Sequence, residues 1–86
     1  MPFYVYIIQS EKDGSFYKGF SENFQQRLIQ HNKGLSRYTS FKCPWKLVYV
    51  EELNSKREAL IRERNLKKAT NDRLQAIITS KKNILN

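Results

Sequence analysis

Glu63 sits where a carboxylate is costly. The segment from Ser55 to Lys68 has helical composition. On a wheel of about 100° per residue, Ala59, Leu60 and Leu66 form its apolar stripe, with Glu63 in the middle. A charge on such a face needs a cation, a metal or a hydrogen-bond network. Glu63 therefore reads as a metal ligand or as the partner of a buried arginine, and composition does not separate the two. Tyr6 and Tyr17 add hydroxyls. In FYVYIIQ, a period of two puts Tyr4, Tyr6 and Ile8 on one face. A returning strand over SFYKGF brings Tyr17 and Gly19 to that side, and Gly19 leaves room for a close approach. Arg27 and His31 lie four residues apart on a helical stretch. Arginine suits phosphate because its planar fork of donors matches the oxyanion. Singly, each residue has a plainer reading: a strand tyrosine with a wet hydroxyl, a solvated arginine, a satisfied core histidine.

The elements that must position these groups are legible. Phe3 to Gln9 reads as a strand, Asp13-Gly14 as its turn and Ser15 to Phe20 as the returning strand. Ser21 is the expected N-cap of a helix with Glu22 in its first turn, running to Asn32 and stopped by Gly34. Its apolar face is Phe24, Leu28 and His31, with Arg27 at the margin. Residues 34–45 show no period and read as a loop. Lys46 to Glu52 alternates as a third strand, and Ser55 with Glu58 makes a capping box for the Glu63 helix. Thr70 or Asn71 caps a last short helix to about Thr79. The order β-β-α-β-α-α predicts an α+β domain over residues 1–80, a small three-stranded antiparallel sheet flanked by helices. Residues 81–86 are expected to be a frayed tail.

The chain has 86 residues, with 16 Lys and Arg against 8 Asp and Glu, a net charge of +8. That fits one domain with one modest core. It also points to a polyanionic partner, nucleic acid first. Arg57, Arg64 and Lys68 share an outer helix face, and Arg37 and Lys42 lie in the loop, so these five are candidate nucleic-acid contacts. No segment approaches a membrane span, and no secretory leader is visible. Cys43 stands alone, without zinc-ligand spacing, which suggests a reducing, cytoplasmic setting.

Taken in order, Val5-Tyr6-Ile7, Phe16-Tyr17-Lys18-Gly19, Asn23-Phe24-x-x-Arg27-Leu28-x-x-His31-Asn32-x-Gly34, Leu47-Val48-Tyr49-Val50-Glu51 and Glu58-Ala59-Leu60-x-x-Glu63-x-x-Leu66-Lys67-Lys68 resemble the GIY-YIG nuclease superfamily. The small stand-alone bacterial proteins of the URI type are the most similar members. The pattern covers residues 4 to about 70. The resemblance implies that Tyr6 and Tyr17 orient or deprotonate an attacking water. It implies that Arg27 holds the scissile phosphate, that His31 is a polar partner, and that Glu63 binds Mg²⁺, or Mn²⁺, with waters filling the other positions. Phosphodiester cleavage needs such groups. Departures are the replaced leading Gly at Tyr4, the central Lys18 of the second motif, which should point away from Tyr17, and Phe20 where repair-type members have lysine.

The resemblance implies a metal-dependent DNA endonuclease, in repair or processing. A non-catalytic nucleic-acid-binding module with the same fold is the alternative, and a basic protein-interaction subunit is a third. The expected state is a monomer or weak homodimer, with a targeting partner protein or a DNA structure supplying selectivity. Ile61, on the outer helix face, leaves room for a dimer.

Overall fold

The computed structural model of the chain describes residues 2–85. Its elements are β1 (Phe3–Ser10), β2 (Phe16–Ser21), α1 (Phe24–Asn32), a 3₁₀ turn at Ser40–Lys42, β3 (Trp45–Leu53), α2 (Lys56–Lys68) and α3 (Asn71–Ile78). The sheet is antiparallel with order β2-β1-β3. As the central strand, β1 is covered on both sides, so Val5, Tyr6, Ile7 and Ile8 are all buried. That is why its sequence is nearly continuous in apolar residues. One face packs Tyr6, Ile8, Val50 and Trp45 against Phe24 and Leu28 of α1. The other packs Val5, Ile7 and Tyr49 against Ala59 and Leu66 of α2 and Leu74 of α3. Each fully buried side chain of this size contributes roughly 1.5–3 kcal/mol, so both layers hold the sheet.

The hairpin turns where Asp13-Gly14 predicts. Gly14 has φ +80°, and the Ser10 hydroxyl accepts from the Lys12 and Asp13 amides. The start of α1 differs from expectation. Ser21 is still in the ladder, opposite Tyr4, so it cannot leave the strand to cap a helix. Asn23 caps instead, its side chain accepting from the Gln26 amide, and Glu22 falls outside the helix. The far end is a Schellman motif: Gly34, at φ +73°, donates to the His31 carbonyl, and Leu35 donates to that of Gln30.

β3 runs one residue beyond the predicted strand at each end and departs from strict alternation. Its register against β1 shifts between Ile7 and Ile8, whose partners are Tyr49 and Leu47. The extra residue, Val48, is a bulge that changes the side toward which the strand's first half points. Trp45 and Leu47 thereby join the Tyr6 face, while Tyr49 packs on the other.

Ser55 caps α2 as expected, accepting from Glu58 N. The Glu58 carboxylate reaches one residue past the cap and accepts from Asn54 N, so the reciprocal half of the box is not formed with Ser55 itself. The helix is rotated from the expected orientation. Ala59 and Leu66 are fully buried, but Leu60 is 38% exposed. Arg62 turns inward instead and donates from Nε to Glu51 at 2.9 Å. A half-buried arginine–carboxylate pair therefore exists, but its acid is Glu51. Tyr49 also donates to Glu51. Burial, followed by this hydrogen bond, pushes Tyr49 up to about 12. Thr70 caps α3. The tail departs from expectation too. Asn83 is buried, accepts from Val50 N and donates to the Val48 and Ile78 carbonyls, and Ile84 N donates to Val50 O. β3 is an edge strand, and these bonds cover polar groups that would otherwise be open.

Candidate active site

The β1–β2 register places Tyr6 opposite Gly19 and Ile8 opposite Tyr17, so both tyrosines share the α1 face. Gly19 is demanded by Tyr6. A Cβ at position 19 would lie 2.7 Å from the Tyr6 hydroxyl and 2.8 Å from its Cζ. No side chain fits there without moving the ring.

α1 crosses this face, anchored by Phe24 packing edge-on to Tyr4 at 5.0 Å between ring centroids. His31, one helical turn after Arg27, is fully buried. Its Nε2 lies 3.1 Å from the Tyr6 hydroxyl and its Nδ1 2.8 Å from Thr39 Oγ1. The Thr39 hydroxyl has a second, weak contact with the Ser36 carbonyl at 3.5 Å, which can only accept. This network assigns the ring proton to Nδ1, so that Nε2 accepts from Tyr6 O–H. Burial first, and the Arg27 charge second, hold His31 down at about 4. The imidazole is neutral at ordinary pH. Tyr17 stacks obliquely on it, with centroids 5.0 Å apart, and touches Trp45 at 6.4 Å.

Arg27 is half-buried and donates to Gln30 Oε1 at 2.7 Å. Its influence converges on Tyr6. Burial pushes the Tyr6 hydroxyl up, the nearby Arg27 guanidinium pulls it down, and negative charge at Tyr17 or Glu63 raises it. Glu63 reaches this cluster electrostatically from α2. Its side chain is 16% exposed, at the margin of the buried face and not in its middle, and lies 3.6 Å from Lys67 Nζ. Among the described residues no arginine pairs with it. An i,i+4 pair with an exposed lysine is worth about 0.3–0.5 kcal/mol, which a stronger cation displaces readily. Lys18 points away from the tyrosines, as expected. Burial first, and Lys67 second, lower its pKa.

The structure thus brings Tyr6, Tyr17 and His31 together on the face that α1 crosses, with Arg27 one turn before His31, whereas Glu63 stands on α2, which packs on the other face. The five basic candidates are spread. Arg37 is exposed on its loop, whereas Lys42 already pairs with Asp13 at 3.4 Å and bonds Ser15. Arg57 and Arg64 border a depression on α2 with Leu60 and Ile61, and Lys68 is exposed at the helix end.

Sequence reasoning missed the support of the site. Thr39 is fully buried, and its carbonyl accepts from Trp45 Nε1 at 2.9 Å. Asn32 clamps Trp45 through both its backbone N and O. Cys43 donates to the His31 carbonyl. Asn32 had a signal in its place beside His31. Thr39, in an aperiodic stretch, had none.

The family model described as the GIY-YIG catalytic domain matches residues 2–76. The chain belongs to the GIY-YIG family. Tyr4-Val5-Tyr6 and Tyr17-Lys18-Gly19 occupy the two stretches that give the family its name. A UPF0213 protein of Clostridium perfringens is 43% identical over 79 residues, 91% of this chain and 84% of that one. One of Streptococcus agalactiae is 36% identical over 84 residues, 96% and 94% respectively. The solution NMR structure of a UPF0213 protein from Bacillus halodurans superposes with a TM-score of 0.62 at 29% identity, covering 99% of this chain and 90% of that one. The sheet with its three helices is thus the fold of a GIY-YIG relative. No helix among the described residues is long and apolar enough to cross a membrane.

Proposed function

We propose that this protein is a divalent-metal-dependent endonuclease that hydrolyses DNA phosphodiester bonds in repair or processing. The observation that carries the reading is a cluster on the face that α1 crosses: a buried histidine bonded to the Tyr6 hydroxyl, a second tyrosine against that histidine, and Arg27 one turn before it on the same helix.

The residues fit a hydrated Mg²⁺ and no closed metal cage. Among the described residues there is no group of three or more His, Cys, Asp and Glu side chains that could hold a metal. Glu63 offers a hard carboxylate held, among the described residues, only by a lysine. Magnesium is commonly bound by one or two carboxylates plus substrate phosphate and keeps several waters. Mn²⁺ suits the same oxygen donors. When bound at Glu63, such a cation supplies charge neutralisation at the phosphate and support for the leaving oxygen.

The tyrosines divide the remaining work. Tyr6 is 1% exposed, donates to His31 and has its pKa raised. It is a poor proton acceptor in this state, and a histidine held at about 4 is a poor final store for its proton. Tyr6 and His31 therefore build and hold the site. Tyr17 is only partly buried, and its hydroxyl makes no hydrogen bond to the described residues. It orients the attacking water, with proton loss to solvent or to a phosphate oxygen. Arg27 offers its planar fork of donors to the charge that develops on the phosphoryl oxygens.

The test is a cleavage panel of double-stranded, single-stranded and branched DNA with Mg²⁺ or Mn²⁺. The wild-type chain nicks DNA, excess chelator stops it, and Glu63→Ala and Arg27→Ala each lose activity while melting as folded proteins. Undiminished cleavage by Glu63→Ala, or in chelator, refutes the reading. Nucleic-acid affinity without any cleavage would instead establish the binding module.

A further inference from the structure

We propose that Tyr38 and Phe41 form a stacking platform for unpaired bases, so that the DNA taken by this site is single-stranded or locally unstacked beside the cut. The proposal rests on the DNA-cleaving reading above and names its substrate class.

Tyr38 is 81% exposed and Phe41 82% exposed, with Leu35 at 71% on the same loop. Scattered exposed apolar residues are ordinary. Two aromatic rings within four positions, on a loop fastened to the active site, are a different matter. The backbone around them is tied down. Thr39, between the two rings, is buried and bonds His31, and its carbonyl receives Trp45 Nε1. Lys42 N donates to Thr39 O, Ser10 Oγ to Lys42 O at 2.7 Å, and Lys12 Nζ to Phe41 O at 3.2 Å. A fixed backbone thus presents both rings to solvent, so little ordering remains to be done on binding.

Position and charge select the ligand. Consecutive Cα atoms are about 3.8 Å apart, so both rings are rooted within two residues of the side chain that holds His31, and through it Tyr6. A strand whose phosphate lies at Arg27 brings neighbouring nucleotides to this loop. Arg37 is exposed beside Tyr38, Lys33 is exposed at the loop's start, and of the acids near the loop Asp13 is engaged by Lys42 while Glu11 lies by Pro44 at the loop's far end. Cations interleaved with aromatic faces match a phosphate backbone with accessible bases. A continuous duplex hides its base faces within the stack and offers these rings nothing.

The test measures binding by fluorescence anisotropy in excess chelator, where no cleavage occurs. A labelled oligothymidylate and a duplex of equal length are compared. For Tyr38→Ala/Phe41→Ala, the affinity for the single strand should fall at least tenfold, since stacking is worth roughly 1–3 kcal/mol per base. Duplex affinity should stay within about twofold, and the salt slope should not change, because no phosphate contact is removed. Tyr38→Phe/Phe41→Tyr should bind like the wild type. Equal losses on both DNAs, or no loss, overturn the platform. So does unchanged strand affinity with the rings required for sedimentation on phosphatidylglycerol vesicles. Because cleavage plays no part in this readout, an inactive wild-type chain would count against the nuclease reading alone.

Discussion

Replacing Gly19 with alanine tests whether the second motif's glycine exists to seat Tyr6. Its backbone lies outside the left-handed region, so alanine meets no conformational penalty and would by itself stabilise the chain by about 0.4–1 kcal/mol through the unfolded state. Against this stands a Cβ at 2.7 Å from the Tyr6 hydroxyl, 2.8 Å from Cζ and 3.2 Å from Cε1. Relieving that overlap means moving a ring that is 1% exposed, and overpacking of this kind costs about 1–3 kcal/mol. The displaced hydroxyl also loses His31, which adds about 1 kcal/mol. The net expectation is a destabilisation of about 2 kcal/mol. At roughly 4–8 °C per kcal/mol for a domain of this size, Tm falls by roughly 8–16 °C. The assay is thermal unfolding of a double-mutant cycle with Tyr6→Leu, which shortens the ring away from position 19. In that background Gly19→Ala should be neutral or stabilising, giving a coupling of about 2 kcal/mol between the positions. A Gly19→Ala protein melting within about 2 °C of wild type, or strict additivity in the cycle, would refute the reasoning.

Three further outcomes are expected. His31 is held at about 4 against an ordinary 6.5, so the unfolded chain takes up its proton first. Stability is full above about pH 6.5 and declines as pH falls towards 4, by at most roughly 3 kcal/mol; urea titrations across that range should show the decline in wild type and not in His31→Gln. Thr39→Val strips the buried Nδ1–H of its acceptor and should cost about 1–3 kcal/mol, whereas Thr39→Ser keeps the hydroxyl and should cost much less in the same denaturant series. Asn83→Ala removes three bonds to backbone of β3 and α3 and should lower stability by about 1–3 kcal/mol; hydrogen exchange at the Val50 amide should quicken relative to β1, and unchanged protection there would show that Asn83 does not cover this edge.

Local patterns explain how much of the molecule could be read in advance. The hairpin was legible because alternation and an Asp-Gly turn act over a few residues, and together they place Tyr6, Tyr17 and Gly19 on one face. The α2 cap was legible for the same reason. The start of α1 was not, since Ser21 and Asn23 are both good caps and pairing with Tyr4 decides between them. The rotation of α2 was also hidden. Leu60 and Arg62 compete for the inward face on the wheel, and Arg62 wins because Glu51 waits on the adjacent strand. The relatives matched establish the family and fold, while the roles of individual residues rest on the geometry and the experiments above.

The sequence by itself determined the faces of β1 and β2, the helix ends set by Gly34 and Ser55, the strong positive charge and the family motifs. All are fixed by residue type at short range. The tertiary structure alone decided three things on which the site depends. It put Trp45 on the Tyr6 face through the bulge at Val48. It brought Thr39, in the aperiodic loop, to His31, eight positions earlier in the chain. It set Glu63 at the margin of the α2 interface, held by Lys67 and not by a buried arginine. The bulge and the rotation of α2 follow from contacts between segments distant in sequence, β1 with β3 and Arg62 with Glu51, and the Thr39 contact from an aperiodic loop, so none leaves a periodic trace.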